Sequence, residues 1–170
     1  MNERLAADSS ANAMMWPMVP RLLAQHHYLV LGTVGPAGDP WVTPVFFVAD
    51  GTDSVLWVSA PTSRHSLNIA RHPAVAITVF DTQSPIGGAE ALYLEATASV
   101  VDDTARPAAI ELLNSHLPKH QHLDLTDAGP AGQLQVYRAS IRQHYVLIRG
   151  GDARFDNPVD TRLAVANPDS

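Results

Sequence analysis

Thr62-Ser63-Arg64-His65 puts two hydroxyls, a guanidinium and an imidazole in four consecutive positions. An apolar run before them, Val55 to Val58, reads as a short buried strand. A helical pattern after them stops at Pro73, which cannot continue a helix. Thr62 and Ser63 are good N-cap residues. Backbone N–H groups at a helix start are unpaired, and the helix dipole there favours an anion. Arg64 can grip a phosphate through two parallel hydrogen bonds. The expected chemistry is capture of a cofactor phosphate at this turn. The same residues also suit a helix that is simply capped.

Other candidate clusters are weaker. His116, His120 and His122 resemble metal ligands by spacing, with Asp124 nearby. Pro118 breaks any common helix face for the first two, and no carboxylate joins them at a recognised spacing, so no metal site is assigned. The chain has no cysteine, which excludes disulfides, thiol catalysis and Cys-ligated metals. Gly-x-Ser-x-Gly, Gly-x-Gly-x-x-Gly and the Walker pattern are all absent, which removes the nucleophile elbow and the usual nucleotide loops. His26-His27 reads as packing or surface. No catalytic acid or base is assigned.

The elements that must position the Thr62–His65 turn are mostly strands. Met1 to Ala13 is small and polar and reads as a mobile arm. A helix is expected from about Pro17 to Gln25. Strands are expected over 28–34 and 41–49, joined by the turn Gly35-Pro36-Ala37-Gly38-Asp39-Pro40 into an antiparallel hairpin. A third strand covers 55–59, and the helix after Thr62 runs to about His72. Further strands fall at 74–80, 91–101, 133–137 and 140–148, with a short one near Leu163-Ala164-Val165. Asp102 or Asp103 caps a helix from Thr104 to about Leu117, and 119–132 is a loop. The residues therefore predict a mainly β (α+β) domain over 14–170, with six or seven mostly antiparallel strands and two or three helices. Pro44 interrupts the second strand and marks an edge, a bulge or a break in pairing.

Composition narrows the partners. A chain of 170 residues that is 46% apolar and 16% charged is a folded single domain. Eleven basic against seventeen acidic residues gives −6, which argues against a nucleic acid or an anionic membrane as main partner. No apolar run is long enough to span a bilayer, and the N-terminus has no signal-peptide pattern, so a cytoplasmic protein is expected.

From Tyr28 to Val101 the order of segments resembles the pyridoxamine 5′-phosphate oxidase-like flavoproteins. The matching pieces are Leu31-Gly32-Thr33-Val34, Gly38-Asp39-Pro40, Val42-Thr43-Pro44-Val45-Phe46-Phe47 and Leu56-Trp57-Val58-Ser59. Thr62-Ser63-Arg64-His65, Asn68-Ile69, Arg71-His72-Pro73-Ala74-Val75 and Leu92-Tyr93-Leu94-Glu95-Ala96-Thr97-Ala98 follow. The resemblance implies an FMN-binding split β-barrel, with a homodimer holding FMN at the subunit interface. It implies that Ser63, Arg64 and His65 hold the FMN phosphate. It further implies that Thr43, Pro44, Val45 and Phe46 lie along the flavin ring, and that Ser59 and Ala60 let the cofactor approach. The implied activity is an FMN-dependent oxidoreductase acting on a small molecule.

The chain departs from the family at several positions. His65 stands where many relatives have lysine, Thr43 where a basic residue is common, and Ala96 where glycine is frequent. No flavin-contacting glutamine is evident near Ala91. The tail has Arg154 and Arg162 but no Arg-x-His motif, so pyridoxamine phosphate is not the expected substrate. An F420-dependent reductase, a non-catalytic flavin- or haem-binding protein, and a cofactor-free dimeric module are the alternatives.

Overall fold

The computed structural model describes residues 4–5, 9–129 and 132–169. The elements are β1 (Arg4–Leu5), α1 (Ser9–Met15), α2 (Met18–Gln25), β2 (Tyr28–Val34), β3 (Pro40–Phe46), β4 (Val48–Asp50), β5 (Ser54–Ser59), α3 (Arg64–Arg71), β6 (Ala74–Phe80), β7 (Ala91–Val100), α4 (Arg106–Ser115), β8 (Gln135–Ile148) and β9 (Thr161–Val165).

Period-two alternation decides which side of each strand is buried. Leu29, Leu31 and Thr33 of β2 turn inward, as do Val75, Ile77 and Val79 of β6 and Leu92, Leu94, Ala96 and Ala98 of β7. The strands join in the order β1-β9-β8-β7-β6-β2-β3, with β5 also paired to β8 and β4 to β5. All pairings are antiparallel except β1 with β9. The long β8 makes the curl possible: residues 135–140 pair with β5 and residues 144–148 with β9, while β7 runs beside both. A register shift at Glu95/Ala96, opposite Gln143 and Ile141, leaves Arg142 as the extra residue that bends the sheet. The result is a split β-barrel.

The barrel encloses one core, with Leu29, Leu31, Phe47, Trp57, Ile77, Leu94 and Ile148 among its members; Val19, Leu22 and Leu23 of α2 also belong to it. Trp57 and Tyr137 stack inside, ring centroids 5.5 Å apart. A second core lies on the other side of β4 and β5. There α4 buries Ala109, Ile110 and Leu113 with Val48, Leu56 and Val136.

Several boundaries differ from the sequence reading for local reasons. The strand expected over 41–49 breaks at Phe47, whose N–H bonds to the His27 carbonyl at 3.0 Å. The strands expected at 133–137 and 140–148 are one, because Arg138 and Ala139 continue the ladder opposite Leu56 and Val55. Helix α4 begins at Arg106, and Asp102 Oδ1 accepts the N–H groups of Thr104 and Ala105, both at 2.9 Å. Of the segment read as an arm, residues 1–3 and 6–8 lie outside the described residues. Residues 4–5 form β1 and residues 9–15 form α1, so the boundary drawn after Ala13 falls inside a helix. Asn12 ties α1 to the chain end through both its amide atoms, donating to the Ala166 carbonyl at 3.0 Å and accepting the Ala166 N–H at 2.8 Å. No helix among the described residues is long and apolar enough to cross a membrane.

Candidate functional site

Helix α3 begins where β5 ends. Ser63, in extended conformation, is its N-cap and accepts the Ser66 N–H at 3.4 Å. The N–H groups of Arg64 and His65 occupy the first two helical positions, where no intrahelical acceptor exists. Two residues of the turn face outward. Thr62 is exposed, and the side chain of Arg64 is 48% exposed.

Arg64 is not bare. Its guanidinium lies over the Trp41 ring, 4.2 Å from the centroid, and its Nη2 pairs with Asp39 Oδ2. The β2–β3 hairpin places that carboxylate. The Gly35 N–H donates to the Asp39 carbonyl at 2.8 Å, the Gly38 N–H donates to the Gly35 carbonyl at 2.9 Å, and Gly38 takes φ 83°. Gly35 leaves room for the carboxylate itself: a Cβ there would sit 2.6 Å from Asp39 Oδ1. An exposed ion pair of this kind is worth about 0–1 kcal/mol. A hydrogen bond to a charged group is worth about 1.5–3 kcal/mol. A phosphate reaching Arg64 would have to compete with this pair.

His65 turns the other way. It is 7% exposed, and its Nε2 lies 2.8 Å from Ser59 Oγ and 3.1 Å from Ser63 Oγ. Burial holds its pKa below the ordinary histidine value. At neutral pH it is an uncharged latch between α3 and β5, and it adds no cation to a phosphate site. Beside it, Asn68 donates to Thr33 Oγ1 at 3.0 Å, so buried polar contacts fasten α3 to the barrel end.

The β3 residues divide by face. Val45 and Thr43 belong to the inner face: Val45 lies in the core, and Thr43 Oγ1 is buried without a hydrogen-bond partner among the described residues. Pro44 is exposed on the outer face, and Phe46 is half-buried against His27 and Tyr28. Strand β3 ends the sheet path, so Pro44 stands on an edge strand, where its missing N–H breaks no ladder. Ser59 is buried on His65, and Ala60 is half-buried at the start of the turn. The structure thus gathers Thr62, Ser63 and Arg64 at one corner with Trp41 and Asp39, and it turns Thr43, Val45, Ser59 and His65 inward. Asp39 and Trp41 escaped the sequence reading because their role depends on a contact made 25 residues away for Asp39. The one available signal was the tight glycine spacing, which orients the hairpin tip.

The outer face of β2, β3 and β6 is apolar and uncovered. Tyr28 is 66% and Val42 64% exposed, with Val34 and Phe80 also open. Register joins these residues into one surface: Gly32 lies opposite Val42 on one side and Ala76 on the other.

Among the described residues no three His, Asp or Glu side chains come together as a metal site, those of the 116–122 segment included. His116 Nδ1 faces the Leu112 carbonyl at 3.2 Å, and His122 Nε2 faces the Leu117 carbonyl at 3.1 Å.

Sheet order, the β8 bend and the α3 plug define a split β-barrel protein. Residues 15–146 match the sequence profile of pyridoxamine 5′-phosphate oxidase, and the chain belongs to that family. No curated protein matches it in sequence. Among solved structures it is similar to HutZ, the heme storage protein from Vibrio cholerae, with TM-score 0.63, 19% identity, and coverage of 76% of this chain and 92% of that one. It is also similar to an F420 reductase, with TM-score 0.55, 23% identity and coverage of 73% and 93%. A FAD-binding protein from Mesorhizobium loti gives TM-score 0.58, 15% identity and coverage of 76% and 91%. At these identities the likeness is one of fold.

Proposed function

We propose that the protein is an FMN-dependent oxidoreductase acting on a small molecule. The observation that carries this reading is Arg64, a half-exposed guanidinium at the start of α3, held between Trp41 and Asp39 beside helix N–H groups that have no acceptor among the described residues. Arg64, the Arg64 and His65 N–H groups, and the exposed Thr62 hydroxyl suit a terminal phosphate, whereas the Ser63 hydroxyl is engaged by Ser66 and His65. His65 holds the helix start against β5 and leaves charge neutralisation to Arg64. The exposed Pro44 and Val42 on the edge strand offer an apolar bed for a flavin ring. When bound, FMN supplies hydride transfer, and the protein supplies binding, orientation and exclusion of water. Neighbours described as an F420 reductase and a FAD-binding protein are compatible with a flavin-type occupant.

The reading includes a homodimer. The open apolar face of β2, β3 and β6 is what a second copy would cover, and it adjoins the Arg64 corner through Trp41 and Val42.

The experiment is reconstitution. Purified protein incubated with FMN, desalted and denatured should release FMN, and the bound flavin should be bleached by a reduced nicotinamide under anaerobic conditions. Parallel incubations with F420 and haem identify a different occupant. Failure to retain FMN overturns the cofactor assignment. Retention without reduction by any donor leaves a flavin-binding protein and overturns the oxidoreductase.

A further inference from the structure

At the opposite end of the barrel, the β8–β9 connection and the loop between β6 and β7 enclose an open cavity of about 540 Å³. It lies at the Ala91 end of β7, whereas α3 leads into β6 at Ala74, opposite Thr97. Six strand residues separate the two ends, which is about 20 Å at strand rise. The cavity is thus separate from the Arg64 corner.

The β8–β9 connection that lines it is tied down by hydrogen bonds, some of them from Asn157, which lies behind the lining. Buried Asn157 donates to the carbonyls of Arg149 at 2.8 Å, Val159 at 3.0 Å and Ile148 at 3.4 Å. The Gly151 N–H returns to the Asn157 carbonyl at 2.7 Å. Asp160 Oδ1 accepts the Gly150 N–H at 2.8 Å. Arg154 is held in a two-point contact on Asp152, Nε at 2.9 Å and Nη2 at 2.7 Å. Asp152 is in consequence pulled down to about 2.

Three guanidinium groups border this region. Arg149 and Arg154 line the cavity, and Arg162 lines an adjoining one of about 200 Å³ that shares Leu147 and Asp160. Arg154 is neutralised by Asp152. Arg162 lies over the Tyr93 ring at 4.5 Å. The side chain of Arg149 has no hydrogen-bond or ion-pair partner among the described residues; its charge only helps to hold Asp152 ionised. Two carboxylates, Asp152 and Asp160, share the lining with Arg149 and Arg154; Asp152 is engaged by Arg154, and Asp160 Oδ1 by the Gly150 N–H, which leaves Arg149 as the lining cation without a direct partner.

We propose that this cavity is a binding site for a small organic oxyanion, with Arg149 as the anchoring cation. A carboxylate or a phosphomonoester meets a guanidinium through two parallel hydrogen bonds. The volume is in the range of small-molecule sites, roughly 300–1,000 Å³. Leu147 and Ala89 line it for the uncharged part of the ligand.

The test uses the full-length protein labelled with ¹⁵N and titrated with inorganic phosphate, succinate and chloride at constant ionic strength. Saturable shifts of the Gly150, Gly151 and Asp152 amides with phosphate or succinate, but not chloride, support the site. Phosphate alone marks a phosphomonoester, and succinate alone marks an organic acid. Arg149→Gln should weaken the saturable binding at least tenfold, whereas Arg64→Ala should leave it unchanged. No saturable shift, an equal response to chloride, or full binding by Arg149→Gln overturns the proposal. Arg149 is exposed, so its replacement leaves the fold intact, and the spectrum itself verifies this.

Discussion

Asp39 and Arg64 meet as an ion pair at the mouth of α3 although 25 residues separate them. The carboxylate sits where an anionic ligand would approach the guanidinium, in a space that the absent side chain of Gly35 leaves open. Removing that competing charge frees Arg64. Asp39→Asn is expected to strengthen FMN binding several-fold and leave riboflavin, which lacks the phosphate, unchanged; fluorescence titration reads both. Weaker FMN binding in this variant would mean that Asp39 positions Arg64 instead of competing for it.

Thr43 carries a buried hydroxyl with no partner among the described residues. An unsatisfied buried hydroxyl costs about 1–3 kcal/mol, and valine has nearly the same shape. Thr43→Val should therefore raise the melting temperature of the cofactor-free protein by about 2–4 °C per kcal/mol gained. A lower melting temperature in calorimetry would mean that the hydroxyl has a partner after all.

The β2 and β6 strands, the hairpin and the α3 start were legible in the sequence because each follows from local chemistry: apolar β-branched runs, a glycine turn, a Ser-Thr cap before a proline-ended helix. The sheet order was not, because β5 pairs with the distant β8 and not with the preceding β3. Facing was legible only in part. The alternation around Pro44 tells that Thr43 and Val45 share a side but not which side meets the core. The resemblance put His65 on the phosphate, yet Ser59 and Ser63 draw it into the barrel end, a choice made by tertiary packing. The pairing of Arg64 with Asp39, and the cover that α1 finds through Asn12 and Ala166, depend on residues brought together only by the closed sheet.

His65 and His144 both have folded-state pKa values lowered by burial, with the Thr52 carbonyl and Asp53 partly opposing this at His144. The unfolded chain takes up protons near the ordinary value of about 6.5, and the folded chain refuses them. Their contribution is fully present above that pH and is lost as the pH falls toward the folded-state values. Chemical denaturation at successive pH values should show stability declining below about pH 6.5. His65→Asn should flatten that decline in part, and an identical slope would remove His65 from it.

The uncovered face of β2, β3 and β6 should close against a second copy. Val42→Lys places a charge on its β3 edge, opposite Gly32, and is expected to shift the protein from dimer to monomer in light scattering. A wild-type monomer, or a Val42→Lys dimer of unchanged affinity, would contradict the proposed interface.

Isothermal titration of FMN into the wild type and Arg64→Ala tests the central claim most directly. Loss of a charge-assisted contact to the phosphate should weaken FMN by about 1.5–3 kcal/mol, roughly ten- to a hundredfold, with riboflavin affinity unchanged. Equal FMN affinity in the two proteins would contradict the assignment of the phosphate to the α3 corner.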